Sequence, residues 1–206
     1  MKISLKAIVV ITFVVVTAYV IGHIPPRNLE QKAAELEQYC RSNGYNTDVG
    51  ILVDYSLYSG RARFFVWDFR AKRVVTSSIC AQGYGGARMF GGTSFSNVPE
   101  SKCTSLGHYK IGLKRKMYIM PIAKAYELDG LDSSNSNARS RYILLHQTPL
   151  PVSIFPFPIP NGLSICGKRL LPAFSAGCIT VPFSKFNSCS RAIDNPTKPV
   201  IMWVYN

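Results

Sequence analysis

Hydrophobic positions fall into three regimes along the chain. From Ala7 to Ile24 they run without a charge and without amphipathic spacing, behind Lys2 and Lys6, with Val9, Val10, Val14, Val15 and Val16 among them. From Leu29 to Arg41 they return at helical spacing, at Leu29, Ala33, Leu36 and Cys40. Asn28 is placed to cap that helix and the Ser42-Asn43-Gly44 cluster to stop it. From Tyr45 onward short apolar runs bounded by turn residues predict strands over Gly50–Tyr55 and Arg63–Phe69. The second turns at Arg70-Ala71-Lys72 into a hairpin partner over Val74–Ile79. Further strands are predicted at His108–Leu113, Tyr142–His146, Gly177–Val181 and Val200–Tyr205, and a helix at Ser184–Ile193. Gly83 to Gly86 and Gly91-Gly92 read as a loop, and the proline-rich stretch Pro149–Pro160 excludes regular structure. The pattern predicts one mainly β domain over 45–206 with a few short helices.

The first regime is long enough to cross a bilayer core of roughly 30 Å as a helix. A cationic start followed by an apolar stretch is an export signal, with the lysines left in the cytoplasm. No Ala-x-Ala site follows it; the exit reads Tyr19-Val20-Ile21-Gly22-His23. A signal-anchor over 1–24 is therefore expected ahead of a cleaved signal peptide. Residues 25–44 then form a linker and short helix, either a stalk or a cover on the main domain.

Composition narrows the classes. The chain has 206 residues, of which 47% are hydrophobic, so disorder is excluded as a description of the whole. Six cysteines are too sparse for a disulfide-built miniprotein. Lys and Arg number 24 against 11 Asp and Glu, a net charge of +13, and removing Lys2 and Lys6 leaves +11. That excess calls either for an anionic partner or only for solubility. Export excludes nucleic acid and leaves phospholipid headgroups and wall polymers.

Candidate chemistry is confined to few residues. Of the three histidines, His23 borders the apolar run, His108 sits between Gly107 and Tyr109, and His146 ends an apolar strand. Downstream, Phe174-Ser175-Ala176-Gly177-Cys178 leads through small residues into a cysteine that opens a strand. Small residues let backbone N–H groups approach a substrate carbonyl, and a thiol with a histidine to take its proton is an acyl-transfer nucleophile. A buried core cysteine is the competing reading. No His/Cys/Asp cluster has metal-ligand spacing, so no metal or cofactor is expected.

His146 followed by Ser175-x-Gly177-Cys178 resembles the active-site signature of the YkuD-type murein L,D-transpeptidases, a His and then Ser/Thr-His-Gly-Cys. Ser105-Leu106-Gly107-His108-Tyr109-Lys110-Ile111 is similar to the second half of that family's Thr-Pro-x-Gly-x-Phe-x-Ile segment. Gly83 matches a glycine that closes the preceding strand. Gly130-Leu131-Asp132 with Asn135-Ser136-Asn137-Ala138-Arg139 resembles the run before the His strand. The pieces stand in the family's order across 45–206. The chain departs from the pattern at Ala176, where most members have His, and at Thr180, where an Arg is common. The proline-rich segment also lengthens the interval between His146 and Cys178.

The resemblance implies a YkuD-like β-sandwich or barrel and an exported cysteine acyl-transferase acting on peptidoglycan stem peptides. Cys178 is the implied nucleophile that expels D-alanine, and His146 the base, oriented by a carbonyl of the Ser-x-Gly-Cys turn. Ser175 supplies turn geometry, and N–H groups around Gly177 and Cys178 hold the oxyanion. Tyr109, with a core position as the alternative, and Arg141 are candidate substrate-binding residues, although strand alternation from Tyr142 to His146 turns Arg141 away from His146. Hydrolysis as an L,D-carboxypeptidase, or an inactive wall- or membrane-binding module, are the alternatives. Cys80 with Cys103, and Cys166 with Cys189, are candidate disulfides. The expected protein is a monomer of the cell envelope, on the periplasmic side, attached through its N-terminal helix or released after cleavage.

Overall fold

Strands and helices follow in the order α1 (Leu5–His23), α2 (Leu29–Ser42), β1 (Val49–Asp54), β2 (Phe64–Asp68), β3 (Arg73–Ser78), β4 (Gly107–Lys116), β5 (Lys124–Gly130), β6 (Leu144–Thr148), β7 (Ile179–Pro182), α3 (Phe183–Asp194) and β8 (Ile201–Tyr205). The structure, a computed structural model, describes residues 4–57, 61–86, 93–116, 124–148 and 175–206. Gly91-Gly92, Pro149–Pro160, Cys166 and Phe174 lie outside the described residues.

The strands form one sheet in the order β3-β2-β1-β8-β4-β5-β6-β7. The pairs β1/β8 and β6/β7 are parallel, and the other pairs antiparallel. Ala81, just beyond β3, makes an antiparallel bridge to Thr180 on β7. That bridge joins the two ends of the strand order, so the sheet curls into a nearly closed barrel.

Two apolar clusters lie on the two faces of this sheet. Ile51, Val53, Phe64, Tyr109, Leu145, Ile179 and Met202 fill one, closed by Phe186 and Cys189 of α3. Leu52, Phe65, Trp67 and Ile201 form the other with Leu29, Ala33, Leu36 and Cys40 of α2. β1 is therefore buried at every position, which is why its sequence is a continuous apolar run rather than an alternation.

The predicted spacing of α2 is the face it buries, and the helix is a cover rather than a stalk. Its end follows the chemistry of Ser42-Asn43-Gly44: Gly44 takes φ +72° and the Tyr45 N–H reaches the Cys40 carbonyl at 2.9 Å. Asn28 occupies the N-cap position but makes no side-chain cap hydrogen bond. Its backbone carbonyl accepts instead from the Lys32 N–H at 2.9 Å.

Two expectations change. The strand β5 was not foreseen, because Ala125, Tyr126, Glu127 and Leu128 are all buried and no alternation marks it. Glu127 is tolerated there because Arg115 and Arg139 pair with it. The apolar N-terminal run forms α1, with Leu5, Val9, Val10, Phe13 and Val16 exposed. Among the described residues, however, no helix is long and apolar enough to cross a membrane, so the expected membrane-spanning helix is not supported.

Candidate active site

β6 and β7 lie side by side and parallel, with Leu145 opposite Ile179 and His146 opposite Thr180. Leu145, Ile179 and Val181 point into the first apolar cluster. Alternation then places Leu144, His146, Cys178 and Thr180 on the other face of the two strands. The candidate base and the candidate thiol thus share a face, one pleat repeat apart.

Cys178 is half-buried at the mouth of β7, and its Sγ has two backbone partners. The Leu144 N–H donates to it at 3.4 Å, and the thiol donates to the Tyr142 carbonyl at 3.7 Å. Burial pushes the thiol pKa up, opposed by the Leu144 N–H, by the Ser175 hydroxyl and by the charge of Arg141.

His146 is buried, and burial pushes its pKa down against the pull of the Gln147 carbonyl. Its Nδ1 lies 3.0 Å from that carbonyl. A carbonyl only accepts, so the neutral ring carries its proton on Nδ1 and leaves Nε2 as the basic nitrogen. The orienting carbonyl therefore comes from Gln147 and not from the Ser-x-Gly-Cys turn. At neutral pH both groups rest uncharged, and the imidazole makes no hydrogen bond with the thiol in this structure.

The turn before Cys178 is pinned from several sides. The Ser175 hydroxyl accepts the Gly177 N–H at 3.1 Å and donates to the Cys178 carbonyl at 2.5 Å. Gly177 has φ +117°, and a Cβ there would lie 2.7 Å from the Cys103 carbonyl and 2.8 Å from Ile143 Cδ1. Only glycine fits. The buried Thr104 hydroxyl donates to the Gly177 carbonyl at 3.1 Å and accepts the Gly83 N–H at 2.8 Å. Sequence reasoning passed over Thr104, whose one signal is that it immediately precedes the Ser105–Ile111 segment.

Arg141 is brought to the site, and its guanidinium is engaged by the protein. Nη1 donates to the Ser96 carbonyl at 2.9 Å and to Ser105 Oγ at 2.8 Å. Nη2 donates to the Cys103 carbonyl at 2.6 Å and to Ser101 Oγ at 3.3 Å. It thus clasps the segment 96–105 against the turn. The expected alternation does not apply to it, because β6 begins only at Leu144 and Tyr142 has φ +53°. Tyr109 is not at the site: its ring is fully buried in the core and its hydroxyl donates to the Ser105 carbonyl at 2.8 Å.

The expected Cys80–Cys103 disulfide is absent, both being buried free thiols. Cys80 instead lies within hydrogen-bond reach of the Tyr55 hydroxyl, at 3.4 Å, and Cys103 Sγ donates to the Ser101 carbonyl at 3.4 Å. Cys189 is also a free thiol. Among the described residues no group of three or more His, Cys, Asp or Glu could hold a metal ion. A separate cleft lined by Asp48, Asp68, Arg70 and Arg191 includes neither His146 nor Cys178.

Comparison with known proteins adds a family. A family model described as the L,D-transpeptidase catalytic domain matches residues 22–201. Among solved structures, Bd1075 of Bdellovibrio bacteriovorus is 16% identical with a TM-score of 0.44, over 79% of this chain and 49% of that one. The chain thus spans about half of that protein's length. The L,D-transpeptidase (residues 123-326) of Xylanimonas cellulosilytica is 14% identical with a TM-score of 0.40, over 82% of this chain and 68% of that one. L,D-transpeptidase 1 of Mycobacterium tuberculosis is 14% identical with a TM-score of 0.37, over 77% and 62%. No curated protein matches the chain.

Proposed function

Because this chain belongs to the L,D-transpeptidase catalytic domain family, we propose that it is an exported acyl-transferase that acts on peptidoglycan stem peptides through a Cys178 thioester. The observation that supports this most is the pairing of His146 and Cys178 on one face of β6 and β7, with the thiol held by the Leu144 N–H.

The steps follow from these atoms. His146 Nε2 takes the Cys178 proton, and the Leu144 N–H and the Arg141 charge favour the resulting thiolate. The thiolate attacks the carbonyl ahead of the terminal D-alanine, and its electron pair moves onto oxygen. The Gly177 N–H is already given to Ser175, and in this scheme the Cys178 N–H serves the oxyanion. Collapse breaks the C–N bond, and D-alanine leaves with the proton held by His146. A second amine then attacks the thioester, gives its proton to His146 and forms the cross-link, while Cys178 departs as thiolate and is reprotonated. Water in place of the amine gives hydrolysis, the second reading. Ser175, Gly177 and Thr104 hold the turn in this scheme, and Arg141 holds the segment beside it.

Export and attachment to the envelope membrane through α1 belong to the same proposal. Lys2 and Lys6 flank the start of an apolar helix whose Leu5, Val9, Phe13 and Val16 side chains are exposed. Fractionation of the full chain tests attachment: recovery in the membrane pellet after alkaline carbonate supports it, and recovery in the supernatant removes it.

Intact-mass spectrometry with a carbapenem, an acylating β-lactam, tests the nucleophile. A stoichiometric adduct on the wild type that is absent from Cys178→Ala supports the reading. An unmodified wild type that also leaves tetrapeptide stems intact favours an inactive wall-binding module.

A further inference from the structure

Tyr55, Tyr109 and Tyr126 place their rings in the core, whereas Tyr142 is 82% exposed. Its backbone is also unusual. A φ of +53° is disfavoured for any residue with a Cβ and is a genuine outlier for a bulky one. The conformation is imposed from both sides. The Tyr142 N–H donates to the Arg139 carbonyl at 3.1 Å and the Ile143 N–H to the Ala138 carbonyl at 2.9 Å. On one flank the Arg141 guanidinium is clasped to 96–105, and on the other the Leu144 N–H is aimed at Cys178. Strain of this kind persists where surrounding structure over-determines it, and it clusters at functional sites.

The kink has a definite result. The Tyr142 carbonyl faces the Cys178 thiol at 3.7 Å, while the ring of the same residue stands out from the surface. The exposed ring is thus carried by the residue whose carbonyl meets the Cys178 thiol. Nothing in its own packing accounts for a large aromatic surface held there.

We infer that the Tyr142 ring is the surface on which the acyl-donor peptide is laid so that its scissile carbonyl meets Cys178. This rests on the reading under Proposed function and adds to it a positioning residue for the donor. A flat apolar ring with a polar tip suits the small methyl groups and peptide planes on either side of the scissile bond. Ring contact made equally in ground and transition states changes KM rather than kcat.

The test uses the full chain, with release of D-alanine from a soluble tetrapeptide stem as the readout. Two variants separate the ring from the backbone. Tyr142→Phe keeps the ring, and Tyr142→Asn removes it while tolerating the left-handed conformation. The expected result is a KM roughly tenfold or more higher in Tyr142→Asn, near wild-type KM in Tyr142→Phe, and unchanged kcat in both. Iodoacetamide alkylation of Cys178 and the thermal midpoint should stay at wild-type values in both variants. Unchanged KM in Tyr142→Asn, or a loss confined to kcat, overturns the inference and leaves the enzyme reading standing. No turnover and no acylation by the wild type removes both.

Discussion

The Leu144 N–H donates to Cys178 Sγ at 3.4 Å. Through this bond the first residue of β6 fixes the thiol that opens β7, and two residues further along β6 stands His146. The candidate base thus lies in β6 and the candidate nucleophile immediately before the parallel neighbour β7. This arrangement makes the chemistry depend on small backbone details around Cys178.

Removal of His146 should act on rate and not on folding. His146→Gln is expected to lower kcat by about 10²–10⁴, the usual contribution of a general acid–base. Its D-alanine release should fall while the thermal midpoint at neutral pH stays near that of the wild type. A rate within twofold of wild type would exclude His146 as the base.

The depressed pKa of His146 has a sign that can be read from stability. In the fold the ring is held neutral, whereas in the unfolded chain it titrates near its ordinary value of 6.5. Below that value the unfolded state binds the extra proton, so stability falls as pH drops and recovers as pH rises through it. Urea melts of wild type and His146→Gln from pH 8 downward should diverge below about pH 6.5, the wild type losing more. For the same reason the acid limb of kcat/KM should lie below that pH. The raised Cys178 pKa predicts iodoacetamide alkylation of the resting enzyme that still climbs above pH 9.0, the ordinary thiol value.

Arg141 binds four oxygens of segment 96–105, two of them backbone carbonyls. Arg141→Met should destabilise the domain by about 3 kcal/mol, the scale for losing charge-assisted bonds and leaving the buried Cys103 carbonyl without its Arg141 donor. A urea midpoint series checks it. Arg141→Lys should recover little, since a point charge cannot span the fork's acceptors. Cys178 alkylation should slow in both variants at fixed pH, because Arg141 favours the thiolate.

Gly177→Ala should be damaging out of proportion to one methyl group. The left-handed φ of +117° and the Cys103 carbonyl 2.7 Å from the added carbon together predict a loss of about 1–3 kcal/mol or more. D-alanine release should fall in parallel, since the turn that presents Cys178 must shift. A variant of full stability and activity would contradict the described turn.

Much of the fold was legible where burial matched a simple period. Leu29, Ala33, Leu36 and Cys40 announced α2, and Ile51, Leu52 and Val53 announced β1, because each set meets one continuous apolar surface. Ala125 to Leu128 announced nothing, because β5 buries a charged residue in mid-strand and relies on Arg115 and Arg139 from elsewhere. At the site, His146 and the Ser175-x-Gly177-Cys178 turn stood out by residue type. Arg141, Tyr142 and Thr104 did not, because their places at the site come from a left-handed residue and from bonds between residues far apart in the chain, such as Thr104 to Gly177. For Tyr109 the residues leave cleft and core open, and the structure decides for the core because its side of β4 faces the first apolar cluster.

The most direct measurement is D-alanine released from purified tetrapeptide stems by the full chain, for wild type, Cys178→Ala and His146→Gln in parallel. Cys178 as nucleophile predicts release by the wild type, none by Cys178→Ala, and a slow residual rate in His146→Gln. Release that survives in Cys178→Ala would contradict the thioester route outright.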